Sequence, residues 1–290
     1  MKTLISTDTS CLVNNESLKK YPISVFPLNV IIDGEEYLDG VTISQPELHE
    51  AMRAGKNIKT STPPLGEVIE YFEKLFNEGY DHIIHFTISS KLSSMNDLFN
   101  KVANEHFAGK LTIIDSYSLS AVMLSYVFYA YDEALKGTAP DVIKAEIEKK
   151  KEKTYIVFVP ENLTALKNGG RISPTIALIG NVIGIKPVIQ LKEGALEKDE
   201  MTRKVRAALT ERITAATETY PTSDFDYSVI NFFANEILVD YIVGFTNGLI
   251  GEDKTITGII PINVCAHCGP GTIGVAVSPK INGKSLKDFL

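Results

Sequence analysis

Short apolar runs recur along this chain, each broken by a polar turn and followed by a stretch with helical spacing. That alternation is the pattern from which α/β folds are built. Thr3 to Thr7, Ile23 to Ile32, His82 to Ile88, Leu111 to Asp115, Thr154 to Pro160 and Val188 to Leu191 read as strands, as do Tyr227 to Ala234 and Ile256 to Val264. Helices fall between them. Val68, Ile69, Phe72, Leu75 and Phe76 share one face after Pro64, and Ser118 to Leu135 forms a long helix stopped at Gly137. Met201 to Tyr220 reads as amphipathic, and a further helix starts at Asn235. Ser44-Gln45-Pro46-Glu47 has the spacing of a capping box. The charged helix Pro140 to Lys153, ending in EIEKKKEK, is a solvated surface and the best place to divide the chain. The expected fold is therefore α/β in two domains, residues 1–153 and 154–290, each a sheet flanked by helices and large enough to bury its own core.

Charge and cysteine usage narrow the function. With 29 basic against 36 acidic residues the net charge is -7, so the chain lacks the basic face that a nucleic-acid binder needs for phosphates. No run approaches a membrane span, and the start MKTLISTDTS has no long apolar region of the signal-peptide kind. A cytoplasmic protein is expected, without stable membrane insertion and with transient contact at a membrane surface left open. Cys11, Cys265 and Cys268 cannot all pair within one chain, which argues against a disulfide framework.

Two hydroxyl clusters stand at helix starts, and the second directly follows the apolar strand His82 to Ile88, where an α/β sheet places its ligands beyond the carboxyl ends of strands. The first is Lys59-Thr60-Ser61-Thr62-Pro63-Pro64; the second is Ser89-Ser90-Lys91-Leu92-Ser93-Ser94. Helix caps would use one hydroxyl of each and leave the rest unexplained. Hydroxyls without an adjacent cation suit a carboxylate or carbonyl better than a polyphosphate. Asp8, at the end of the first strand, reads as ordering its own loop.

The stretch Leu166 to Leu191 changes character three times. Paired glycines hand Arg171 to Ser173-Pro174, where Ser173 could cap a helix, and the apolar run Ile176 to Ile185 follows, loosened by Gly180 and Gly184. This reads either as a buried helix and strand or as an apolar groove with a cation at its edge. Arg203, Lys204 and Arg206 oppose the helix dipole at the start of their helix; they answer either to an anionic ligand or partner, or to ordinary surface charge. Near the C-terminus, VCAHCGPGTIG holds a CxxC pair without the further ligands a zinc site needs. Its formal GxGxxG lacks a following βαβ unit, and Pro270 lacks the N–H of a phosphate cradle. What survives is His267 beside a glycine-rich turn.

In order and spacing, TDTSC, PLNVIIDGEEYLDG, KTSTPP, ISSKLSS, TIIDSYSLS, LKNGGRIS, IGIKPVIQL, KVRAAL and HCGPGTIG resemble the DegV family nearly end to end. This is a bacterial family of fatty-acid-binding proteins whose characterised members are FakB-type acyl carriers of a fatty acid kinase. The resemblance implies a two-domain fold with a long-chain fatty acid held between the domains. By matching positions, it implies that the carboxylate meets Thr60, Ser61, Thr62, Ser93 and His267, and that Ile176, Ile179, Ile183 and Ile185 take the acyl tail. Arg171 and Arg206 match positions associated with the kinase encounter or the phosphate. Thr62 stands where the family usually has glutamine, Ser94-Met95 where it has glycine-threonine, and Phe233 where a histidine often precedes Ala-Asn. The implied role is a carrier, not an enzyme: no cofactor, a separate ATP-dependent kinase as partner, and acyl phosphate for phospholipid metabolism as the outcome. The lack of a Walker sequence fits a non-catalytic partner. Two alternatives stay open: a thiol enzyme using Cys265 or Cys268 with His267, and a carrier of another apolar acid such as a sterol or isoprenoid.

Overall fold

The computed structural model describes residues 2–11, 18, 20–172 and 184–290. Among the described residues, seven strands precede residue 116: β1 (Thr3–Asp8), β2 (Ile23–Phe26), β3 (Asn29–Ile32), β4 (Glu35–Leu38), β5 (Ile58–Ser61), β6 (His82–Thr87) and β7 (Leu111–Asp115). Four of them form an all-parallel sheet in the order β2-β1-β6-β7. Parallel strands are covered on both faces, and successive side chains point to opposite sides. Leu4, Ile83 and Ile113 accordingly join one core cluster with Phe72 and Phe99, while Ile5, Ile84 and Ile114 join another. The first face is closed by helices α2 (Leu65–Asn77) and α3 (Met95–His106), which follow α1 (Gln45–Arg53). The capping box of α1 is present as expected, with Glu47 accepting from the Ser44 N–H at 2.7 Å.

The extended run Ile23 to Ile32 divides into two strands belonging to different sheets. Pro27 stands at the break, where it has no N–H for a continuous ladder. β2 joins the parallel sheet, whereas β3 heads a small antiparallel sheet in the order β4-β3-β5. Asp33 and Gly34, at φ +52° and +93°, form the tight turn between β3 and β4.

Six further strands build the second large sheet: β8 (Tyr155–Val159), β9 (Lys186–Lys192), β10 (Ala195–Thr202), β11 (Phe225–Phe232), β12 (Ile256–Ile259) and β13 (Thr272–Pro279), in the order β10-β9-β8-β13-β11-β12. Only the β11–β12 pair is parallel. The helix α4 (Ser120–Leu135) is buried on every side from Ser120 to Ala130, as a helix apolar all round should be. It lies between the parallel sheet and the six-stranded sheet, touching β1 and β13. After α5 (Pro140–Lys151) and α6 (Thr164–Gly169), α7 (Val205–Thr219) and α8 (Glu236–Ile250) cover the far face of the six-stranded sheet through Leu209, Ile213 and Ile242. α9 (Ile262–Cys268) leads into β13.

Most expected boundaries shift by a residue or two, and two move further. The helix read over Met201 to Tyr220 begins only at Val205, because Met201 and Thr202 end β10, a polar edge strand without an apolar period to reveal it. The strand read over Ile256 to Val264 stops at Ile259; Pro261 caps a helix instead, and this carries Cys265, His267 and Cys268 onto α9.

Candidate ligand-binding cavity

A cavity of about 380 Å³ opens between the two halves of the chain. Leu28, Ile88 and Leu119 line it from the first half, and Phe158, Leu191 and Ile230 from the second. At one end the apolar lining gives way to hydroxyls. Thr60 and Ser61 arrive at the end of β5, Thr62 in the loop beyond it, and Ser93 and Ser94 in the loop between β6 and α3. Of these hydroxyls, Ser93 Oγ accepts from Met95 N at 3.4 Å at the start of α3 and keeps its own hydrogen to donate. Pro64 and Ser94 are the N-cap residues of α2 and α3, and neither makes a side-chain capping bond.

His267 joins this end from α9. Its Nε2 lies 2.8 Å from Thr60 Oγ1, across 207 residues of sequence. The glycine-rich turn explains how the histidine gets there. Gly269 and Gly271, at φ +76° and +84°, let the chain leave α9 and reverse into β13, while Thr272 Oγ1 donates to the carbonyls of Cys268 and Gly269 at 2.9 and 2.8 Å. The ring then lies directly over Gly169. A Cβ at that position would fall 2.1 Å from His267 Nδ1, so no larger residue fits without moving the imidazole. Burial, with the charge of Arg171 nearby, pushes the His267 pKa down to about 4. A neutral ring that donates from Nε2 to Thr60 Oγ1 leaves the threonine hydroxyl free to donate onward into the cavity.

Arg171 also faces inward. Its Nε donates to the Leu92 carbonyl at 3.2 Å and its Nη1 to the Gly169 carbonyl, so the guanidinium ties the end of α6 to the loop that carries Ser93. Ser89 organises the same loop. It is fully buried; its backbone carbonyl accepts from Leu92 and Ser93, and its Oγ accepts from Lys91 N at 3.2 Å. That Oγ donates in turn to the Gly194 carbonyl at 2.7 Å, pinning the tip of the β9–β10 hairpin to the parallel sheet.

The structure adds residues that the sequence did not mark. Ser10, Asn29 and Asn263 line the cavity. Asn29 sits opposite Ser61 in the β3–β5 pairing, and Asn263 lies one turn before His267 on α9. Reading Ile256 to Val264 as a strand hid the second relation, since that strand ends before His267, whereas a helix brings positions four apart within about one turn of each other. Behind them Asp8 orders its loop as expected, accepting from Ser10 N and Ile88 N at 2.8 Å each, and burial raises its pKa to about 6. Asp39, raised to about 7 by burial, accepts from Asn263 N at 3.0 Å and so fixes the start of α9.

Other expected site residues lie elsewhere. Arg206 is exposed and stacks 4.8 Å from the Tyr241 ring, away from the cavity lining. Ile185 is half-buried and does not line the cavity, while Ser173, Ile176, Ile179, Gly180 and Ile183 lie outside the described residues. The cysteines are unpaired and buried, and burial pushes the Cys265 thiol well above its ordinary range. A thiol kept protonated is a poor nucleophile, which weighs against the thiol-enzyme alternative.

Comparison with known proteins places this geometry among relatives. The family model described as "Uncharacterised protein, DegV family" matches residues 2–280. A DegV domain-containing protein of Staphylococcus aureus strain MRSA252 is 30% identical over 281 residues, covering 96% of this chain and 99% of its own. A fatty acid binding DegV family protein from Streptococcus agalactiae is similar in structure, with a TM-score of 0.86, 27% identity, and coverage of 97% of this chain and 99% of the other. A DegV family protein from Thermus thermophilus, solved for its fatty acid binding, has the same fold at a TM-score of 0.85 and 23% identity, covering 96% of this chain and 100% of that one.

Proposed function

Since this chain belongs to the DegV family, we propose that it binds a long-chain fatty acid between its two halves and presents the carboxylate to a separate ATP-dependent fatty acid kinase. The observation that carries this reading is the meeting of Thr60, Ser61, Ser93 and His267 at one end of a mostly apolar cavity, with hydroxyls that remain able to donate into it. Solved relatives of the same fold are fatty acid binding proteins, which supports the ligand class.

The physical chemistry of the two ends agrees with an amphiphile. Each buried methylene is worth about 0.8 kcal/mol, so a chain of about fifteen contributes on the order of 12 kcal/mol before the costs of association. At the polar end, the Ser93 hydroxyl and the Thr60 hydroxyl, the latter backed by His267, donate to the carboxylate, while the half-buried Arg171 supplies positive potential. The two arginines thereby take different roles. Arg171 holds the head-group loop in place, and the exposed Arg206 is the contact for an acidic surface of the kinase. In the transfer itself a carboxylate oxygen attacks the γ-phosphorus of ATP, ADP leaves, and an acyl phosphate remains in the cavity. The protein contributes position, holding the carboxylate for in-line attack.

Organic extraction of gently purified protein followed by mass spectrometry tests the reading. The expected result is close to one fatty acid per chain, of about sixteen to eighteen carbons by analogy with the family. Protein that carries no lipid and takes up none when it is offered would refute the proposal. Lipid-loaded protein that yields no acyl phosphate with ATP and a cognate kinase would remove the presenting role and leave the binding role.

A further inference from the structure

The cavity wall carries a second polar group that a carboxylate does not explain. Asn29 and Asn263 are only 4% and 6% exposed, and the side-chain carbonyl Oδ1 of each is buried without a hydrogen-bond partner among the described residues. Asn263 uses one Nδ2 hydrogen on Ser10 Oγ at 2.8 Å and its backbone N–H on Asp39, while its Oδ1 stays unpaired. Ser10 gives no donor back, because its hydroxyl turns to the Asp8 carboxylate. The corner therefore presents two buried carbonyl acceptors that no protein donor meets among the described residues. Buried acceptors require donors, yet an ionised carboxylate only accepts and an alkyl chain does neither.

The position of this corner limits where the missing donor sits. Asn29 lies directly opposite Ser61, and a backbone bond of 2.9 Å from Asp39 N to the Leu28 carbonyl joins its strand to the carboxylate that holds Asn263. Asn263 in turn precedes His267 by one helical turn, about 5.4 Å along the axis. That is about the span from a carboxyl carbon to the fifth carbon of an extended chain. We infer that Asn29 and Asn263 form a hydroxyl-binding subsite beside the head group, and that the preferred ligands are acyl acids bearing a hydroxyl close to the carboxyl end.

The inference rests on the fatty-acid reading above and adds a preference to it. A chain hydroxyl donates to the Asn263 carbonyl and accepts from the Asn29 amide, whereas an unsubstituted chain covers both carboxamides and pairs neither. Sites built around a hydroxyl reject the analogue lacking it because their own polar groups are left unpaired.

The experiment measures the affinities of delipidated full-length protein for palmitic acid and δ-hydroxypalmitic acid by competition. The hydroxy acid is expected to bind about tenfold tighter, and Asn263→Leu or Asn29→Leu to bring the ratio toward one. Equal affinities in the wild type, or a ratio unchanged in both variants, would overturn the subsite while leaving the fatty-acid reading intact. Binding of neither acid would overturn both. The wild-type ratio decides the matter even where one variant fails to fold.

Discussion

His267 combines three conditions that act together: a partner in Thr60, a floor in Gly169 and a neutral ring. Gly169→Ala should therefore act through the histidine. The added Cβ has no place beside Nδ1, although alanine is otherwise the better residue near a helix end. Fatty acid affinity should fall on the order of tenfold in both Gly169→Ala and His267→Ala, and the double variant should be no worse than His267→Ala alone. Additive losses in the double-mutant cycle would show that the glycine acts elsewhere. The depressed pKa carries a sign. Folded His267 takes its proton near pH 4 and the unfolded chain near 6.5, so from pH 6.5 down to about 4 the unfolded state binds more protons and stability is lost as pH falls. Buried Asp8 and Asp39, whose pKa values are raised, act in the opposite sense over an overlapping range, stabilising on acidification. The histidine's part is isolated by comparing wild type with His267→Gln: the stability gap should shift against the wild type as pH drops through that window. Titration of the ring by NMR near 6.5 would contradict the burial argument.

The hairpin of β9 and β10 is the element that joins the head-group loop to the second half of the chain. Its tip rests on Ser89, and a Cβ at Gly194 would lie 2.6 Å from the Ser89 hydroxyl. Ser89→Ala removes a buried donor and an acceptor together. It should raise the dissociation rate of bound fatty acid several-fold, with a loss of stability of about 1–3 kcal/mol. An unchanged dissociation rate would mean that the hairpin does not gate the ligand. Elements such as this mark where the sequence stopped being readable. The strands of the parallel sheet, buried on both faces, were legible as apolar runs. β4 and β10, polar strands such as EEYL and ALEKDEMT, offered no such run. Thr60, Ser61, Ser93 and His267 stood out by residue type and by resemblance. Asn263, Ser89 and the inward bonds of Arg171 depend on contacts between segments 79 to 253 residues apart, and Asn29 on a strand pairing with Ser61, none of which a local pattern announces.

At the scale of the molecule, α4 decides whether the two halves behave as one body. The side chains of Tyr126 and Phe128 are buried between the sheets, and Phe128 packs against Tyr21 at 5.0 Å and against Phe289, near the C-terminus, at 4.8 Å between ring centroids. We propose a division at Lys153 and Thr154 that is topological, with folding shared across it. Phe128→Ala should cost about 3–5 kcal/mol and lower the melting temperature in a single transition seen by every probe. Two separated transitions would show independent units. A cavity between coupled halves also explains why a bound amphiphile would stabilise the whole chain, since it touches both. The most direct test of that placement is the NMR spectrum of palmitic acid labelled with carbon-13 at its carboxyl, bound to wild type and to Ser93→Ala. A single bound resonance, distinct from that of free acid and displaced in Ser93→Ala, is the result expected of a carboxylate held at Ser93, Thr60 and His267. A carboxyl resonance unchanged between the two proteins would place the head group elsewhere and contradict the account.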